Sequence, residues 1–110
     1  MTRASSYLSL GENMEEKGKY FKAERLYKKA LKIREAEVES LSPELVPYLY
    51  SLGMAQAVLD RTSAALRTFD RLLSILIREH GEAHEDVKEI HSVIDELHME
   101  SAESSVAVNA

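Results

Sequence analysis

The stretch YLSLGENMEEKGKYFKAERLYKKALKIRE, residues 7–35, decides how the chain folds. Its many lysines and glutamates suggest a solvated helix. Yet Gly11, Ala23 and Ala30 stand among aromatic and leucine positions at regular intervals. A shift of 42 residues explains them: Tyr7 falls on Leu49, Leu10 on Leu52, Gly11 on Gly53, Ala23 on Ala65, Tyr27 on Phe69, Leu31 on Leu73 and Ile33 on Ile75. Small residues meet small ones and large apolar residues meet large ones. The same shift carries Leu45, Leu49 and Leu52 onto Val87, His91 and Ile94, which begins a third unit. Helix packing gives the reason. A Gly or Ala at a crossing lets two backbones approach, and an aromatic ring on the partner helix fills the adjoining hole. Each two-helix unit keeps one apolar face that the next unit covers.

Apolar residues at helical spacing predict five helices. The first runs from about Ala4 to Lys17, with Tyr7, Leu10, Gly11 and Met14 on one face and Gly18 as its stop. The second runs from about Tyr20 to Val38 and buries Tyr20, Ala23, Tyr27, Ala30, Leu31 and Val38. Ser42 caps a third helix from Pro43 to about Leu59, where Pro43 and Pro47 fall early enough for their missing N–H groups to cost little. Thr62 is the candidate cap of a fourth helix that ends near His80 before Gly81, and EAHEDV opens a fifth that reaches about Glu100. SAESSVAVNA, residues 101–110, offers no face worth burying and is expected to be a flexible tail. The expected organisation is one domain over 1–100, with units at 4–38 and 43–80 and a terminal helix at 84–100.

Composition agrees with an all-α chain and narrows the function classes. Of 110 residues, 45% are hydrophobic and 30% charged, with only 2 Pro and 4 Gly to break helices. Cysteine is absent, which removes disulfides, thiol nucleophiles and Cys-based zinc sites and fits a reducing, cytoplasmic setting. No secretory signal is read at the start, and no stretch nears the roughly 20 apolar residues that span a bilayer. The net charge of −5 argues against wholesale nucleic-acid binding. The charge is split, however: it sums to +4 over Lys19–Val38 and to −8 over Glu79–Glu103.

The residues now carry a resemblance. YLSLGENM followed by AERLYKKAL resembles the tetratricopeptide repeat (TPR) signature of an aromatic, Leu-Gly, then Ala, aromatic, Ala. The matching positions are Tyr7, Leu10, Gly11, Ala23, Tyr27 and Ala30, then Leu52, Gly53, Ala65 and Phe69. Leu72 departs from the usual small residue. The 42-residue period, longer than the usual 34 or so, and a linker such as HGEAHEDV are similar to the kinesin light chain type. The resemblance implies an antiparallel helix-hairpin solenoid whose first helices line a concave groove for a partner peptide or helix. By spacing, Ser5, Leu8, Glu12, Glu16, Tyr50, Met54 and Ala57 face that groove, with Glu89 and Val93 as further candidates. A TPR subclass clamps C-terminal carboxylates with Lys, Asn and Arg. Here Leu8, Glu12, Ser51, Glu89 and Val93 stand at those places; none is cationic and two repel a carboxylate. The groove reads as apolar and mildly acidic.

Sharper chemistry finds little support. His84, His91 and His98 recur every seven residues, about 10 Å apart on a helix, too far for one metal. His91, Ser92 and Asp95 form no triad, since adjacent helical residues point apart. There is no Gly-rich phosphate loop, HExxH or nucleophile turn, so no enzyme activity, cofactor or metal is expected. Lys22, Arg25, Lys29 and Lys32 form a basic stripe, read first as a solvated convex face. Its sharper uses are contact with an acidic protein or with RNA, and the lack of stacking aromatics argues against RNA. The sequence therefore points to a protein–protein interaction module of adaptor or scaffold type. The alternatives are self-assembly as a homo-oligomer and, at low weight, RNA binding through the second helix.

Overall fold

A computed structural model describes the backbone of residues 2–109 and the side chains of residues 2–101. The described residues form five α-helices and one short 3-10 turn: α1 Arg3–Glu16, α2 Tyr20–Glu35, the 3-10 turn Pro43–Leu45, α3 Val46–Val58, α4 Thr62–His80 and α5 Glu85–Asn109. Helices α1 and α2 pack as one hairpin and α3 and α4 as the next; α2 lies against α3, and α4 against α5. This is an all-α solenoid of two units and a terminal helix.

The crossings follow the repeat. A Cβ added at Gly11 would sit 2.5 Å from the Tyr27 ring, and one at Gly53 would sit 2.7 Å from the Phe69 ring. Each glycine therefore leaves the room that one aromatic fills, and both rings are wholly buried, with Ala23, Ala30 and Ala65 beside them in the core. Leu72, where a small residue was the pattern, is also fully buried. With Ile90 of α5 it lines a hollow at the junction of α3, α4 and α5.

The turns repeat as well. Gly18 has φ 75° and Asp60, at the matching position of the second unit, has φ 59°. After α1, the Lys19 N–H donates to Met14 O at 2.8 Å and the Gly18 N–H to Glu15 O at 2.9 Å. After α3, the Arg61 N–H donates to Gln56 O at 2.9 Å and the Asp60 N–H to Ala57 O at 3.1 Å. Both pairs close the last carbonyls of a helix through a left-handed residue, the Schellman arrangement.

Several boundaries differ from the sequence expectation, each for a local reason. α2 ends at Glu35 rather than Val38. Glu35, Glu37 and Glu39 crowd its negative end, and Arg34 pairs with Glu37 and Glu44 beyond it. α3 begins at Val46, after a 3-10 turn. Pro47 has no N–H to offer Pro43 O, so the Val46 N–H bonds it three residues on. Ser42 caps that turn through the Glu44 N–H, as expected. Thr62 is the first residue of α4 rather than its cap; Arg61 holds the cap position without a side-chain bond. α1 gains a cap that sequence reading missed, a reciprocal Thr2–Ser5 box. α5 extends to Asn109, past the expected end near Glu100. The expected tail at 101–110 falls almost wholly on residues whose side chains lie outside the described set.

One charge is buried between the units. Glu24 on α2 is almost fully enclosed. Its Oε1 meets Arg61 Nη1 at 2.9 Å and its Oε2 lies 3.9 Å from Lys28 Nζ. The Arg61 guanidinium in turn lies 5.1 Å from the Phe21 ring centroid. A buried carboxylate needs such pairing to remain charged, so the ion pair ties the middle of α2 to the α3–α4 turn.

α5 closes the described array with a polar face. In the second unit, Gly53 meets Phe69, and Gln56 accepts from Thr68 Oγ1 at 2.7 Å, so both look towards α4. At the same register α5 carries Asp95 and His98, both exposed, with exposed His91 where α3 has buried Leu49. The other side of α5 buries Val87, Ile90, Ile94 and Leu97. This helix is amphipathic, with its apolar side against α4 and its polar side in solvent.

Candidate functional site

The site is assembled around Tyr50 on α3, 38% exposed. Two hollows share it. One, about 250 Å³, is bordered by Glu15 of α1, Tyr20 of α2, and Tyr50, Ser51, Met54 and Val58 of α3. The other, about 320 Å³, is bordered by Val46, Tyr50, Leu72, Leu76, Asp86, Glu89 and Ile90. The ring therefore stands as a ridge between an α1–α3 hollow and an α3–α5 hollow, on the face that the first helices of the units share.

Position along the helices brings these groups together. Tyr50, Met54 and Val58 are four residues apart and so lie on one stripe of α3. Val58 is exposed and Met54 half-buried, which leaves apolar surface open to a ligand. The acids come from the neighbouring helices. Burial pushes the Tyr50 phenol above its usual range, and the nearby carboxylates of Glu89 and Glu15 push it the same way. A phenol held neutral is a hydrogen-bond donor, so the face offers an amphipathic ring between two carboxylates.

The sequence-assigned groove residues are distributed unevenly over this surface. Tyr50 and Met54 meet in one hollow, with Glu89 across the ridge. Leu8 and Ala57 are half-buried and Glu12 is exposed, but none of the three borders either hollow. Glu15, Tyr20 and Val58 are the additions that sequence reading missed. Val58 was legible from the four-residue spacing behind Met54. Tyr20 was assigned to the buried face of α2 and is only half-buried. Val38, assigned there too, is half-buried beyond the helix end.

The signature positions divide in the same way. Gly11, Ala23, Tyr27, Ala30, Leu52, Gly53, Ala65 and Phe69 are buried, whereas Tyr7 is half-buried and Leu10 is exposed. The Tyr27 hydroxyl donates to Glu15 Oε1 at 3.4 Å. Burial first, then Glu15 and Glu12, raise its phenol well beyond the normal tyrosine range. Lys22, Arg25, Lys29 and Lys32 are all exposed, and the first three rim a further hollow on the outer side of α1 and α2.

A histidine cluster that the seven-residue spacing did not reveal lies at the α4–α5 turn. His80, His84 and Asp86 place potential ligand atoms within 4.8 Å of one another. His84 Nδ1, however, accepts the Asp86 N–H at 3.1 Å, and its carbonyl accepts the Lys88 N–H. His84 is thus the N-cap of α5, with its lone pair engaged. The His80 and His84 rings stack with centroids 4.2 Å apart and planes 19° apart, so their in-plane lone pairs do not converge on one ion. The arrangement reads as a capped turn.

Among the described residues no helix is long and apolar enough to cross a membrane. A comparison with curated proteins gives no significant match. A model of the tetratricopeptide repeat matches residues 2–78, which contain both hairpins up to the last turn of α4. TPR units generally mediate protein–protein interactions. With the Gly–aromatic crossings repeated at Gly11–Tyr27 and Gly53–Phe69 and the family model running through both, the chain belongs to the tetratricopeptide repeat family.

Proposed function

We propose that this chain is a non-enzymatic adaptor that grips a segment of a partner protein on the face centred on Tyr50. The observation that carries the reading is the Tyr50 ridge, which separates two hollows and has Glu15 on one side and Glu89 on the other. A partner suited to it sets a leucine or aromatic side chain against Tyr50, Met54 and Val58 and brings Lys or Arg towards the two carboxylates. Apolar burial supplies most of the affinity, and the charges set orientation and on-rate. A free C-terminal carboxylate is not needed, because among the described residues no cation borders either hollow. The same reading places the chain in the cytosol, which its cysteine-free composition fits, and in the kinesin light chain type, which its 42-residue period resembles.

The test is recovery of partners from lysate by wild type and by a Tyr50→Ala/Met54→Glu variant, read by mass spectrometry after circular dichroism has shown both to be folded. Partners held by wild type and lost from the variant are expected, and peptides from them should bind the purified chain whether or not the C-terminus is amidated. Equal recovery by the two proteins would sink the proposal.

A further inference from the structure

Among the described residues, no helix lies against the outer side of the first hairpin as α2 lies against the second. In the second hairpin, Leu49, Leu52 and Gln56 of α3 are only 1%, 5% and 4% exposed. α2 packs against α3, and its Glu35 pairs with Arg71 of α4. One repeat earlier, the same positions are Tyr7, Leu10 and Met14 on α1, with Lys29 on α2 in place of Arg71. Here Leu10 is 46% exposed, and Tyr7 and Met14 are half-buried. Tyr7, Met14 and Leu26 floor a hollow of about 380 Å³ between α1 and α2, rimmed by Lys22, Arg25 and Lys29. Lys29 Nζ stands 4.5 Å from the Tyr7 ring centroid. The Lys29 ammonium, with Arg3 adding, holds the Tyr7 phenol below its usual range. Among the described residues no carboxylate pairs with Lys22, Arg25 or Lys29.

We propose that this edge docks an amphipathic helix from another protein, apolar along one face and flanked by glutamate or aspartate, seated on α1 as α2 is seated on α3, with its acids towards the cations of α2. Two independent features select that occupant. The repeat itself shows that a helix fits this register, with a carboxylate from the covering helix on the cation at the Lys29 position. The rim is purely basic, so the missing charges are acidic. A second copy of the chain is a poor occupant. Its acidic helix α5 already buries Val87, Ile90, Ile94 and Leu97 against its own chain, which leaves few apolar residues to offer. The site lies apart from the Tyr50 face and does not depend on it.

The probe is a synthetic helical peptide of about 18 residues, long enough to be partly helical alone, with leucines at helical spacing and glutamates beside them. Its twin carries lysine for each glutamate. Fluorescence anisotropy should show the glutamate peptide binding wild type at least about tenfold more tightly than the twin. Leu10→Glu/Lys29→Glu should weaken that binding by about tenfold or more, and Lys22→Glu/Lys29→Glu should turn the preference towards the lysine twin. Tyr50→Ala/Met54→Glu should leave it unchanged. The proposal is overturned by a wild type that binds neither peptide, by equal binding of the two, or by binding that follows Tyr50 and Met54. Sedimentation that shows a wild-type dimer abolished by Lys29→Glu would also overturn it, since the occupant would then be a second copy.

Discussion

Leu10 and Leu52 hold the same position in two hairpins of one design, yet Leu10 lies open and Leu52 is buried. Both precede the crossing glycine by one residue, on the first helix of a unit. The difference comes from what lies outside each hairpin. Among the described residues, α2 and α5 flank the second one, whereas the first is flanked by the second hairpin alone. In a solenoid, stability is a sum of unit terms and neighbour terms. The comparison separates them: the crossing is intrinsic to a unit, and the burial of Leu10 or Leu52 belongs to the neighbour.

The strongest way to break the comparison is truncation of the two leucines. Leu52→Ala should cost about 2–5 kcal/mol, as for a buried leucine, and Leu10→Ala should cost under about 1 kcal/mol at its exposed place. Urea melts followed by circular dichroism measure both; equal costs would mean that the first hairpin is covered in solution. Next in size are the crossings themselves. Gly53→Ala sets a methyl against a buried Phe69 ring, which overpacks by about 1–3 kcal/mol, with up to about 1 kcal/mol returned by helix propensity. Gly11→Ala should behave alike or worse, since the Tyr27 ring is closer and its hydroxyl is bonded to Glu15. A gain in stability at either site would refute the close-crossing account. The smallest change sharpens the likeness of the turns. Asp60→Gly gives the second turn the residue of the first and relieves a left-handed backbone, so it should stabilise by up to about 1 kcal/mol. A lowered urea midpoint would show that the Asp60 side chain contributes something the backbone geometry does not reveal.

The repeat was legible because small residues at crossings and large ones opposite leave a pattern that survives a simple shift. The places where reading failed depend on neighbours distant in sequence. Glu24 sits in a lysine-rich helix and looks solvated; its burial comes from Arg61, in another turn altogether. Leu10 matches a core signature, but no signature says whether a covering helix is present. Glu15 was passed over because it falls in a run of acids, while its part in the Tyr50 face depends on how α1 lies beside α3. The 3-10 turn at Pro43 could have been read, since Pro47 stands at the one spacing that removes the α-helical bond to Pro43.

The two left-handed turns have a consequence for how the chain reaches this state. Lys17–Lys19 and Leu59–Arg61 reverse the chain within three residues each, whereas residues 36–42 separate α2 from the next element. Short closures lose little chain entropy. Each hairpin can therefore meet its own partner on the timescale of local helix and loop formation, ahead of contacts that span the longer connection. Docking of one finished hairpin on the other is then the later event, and the Glu24–Arg61 pair is desolvated only as that docking completes.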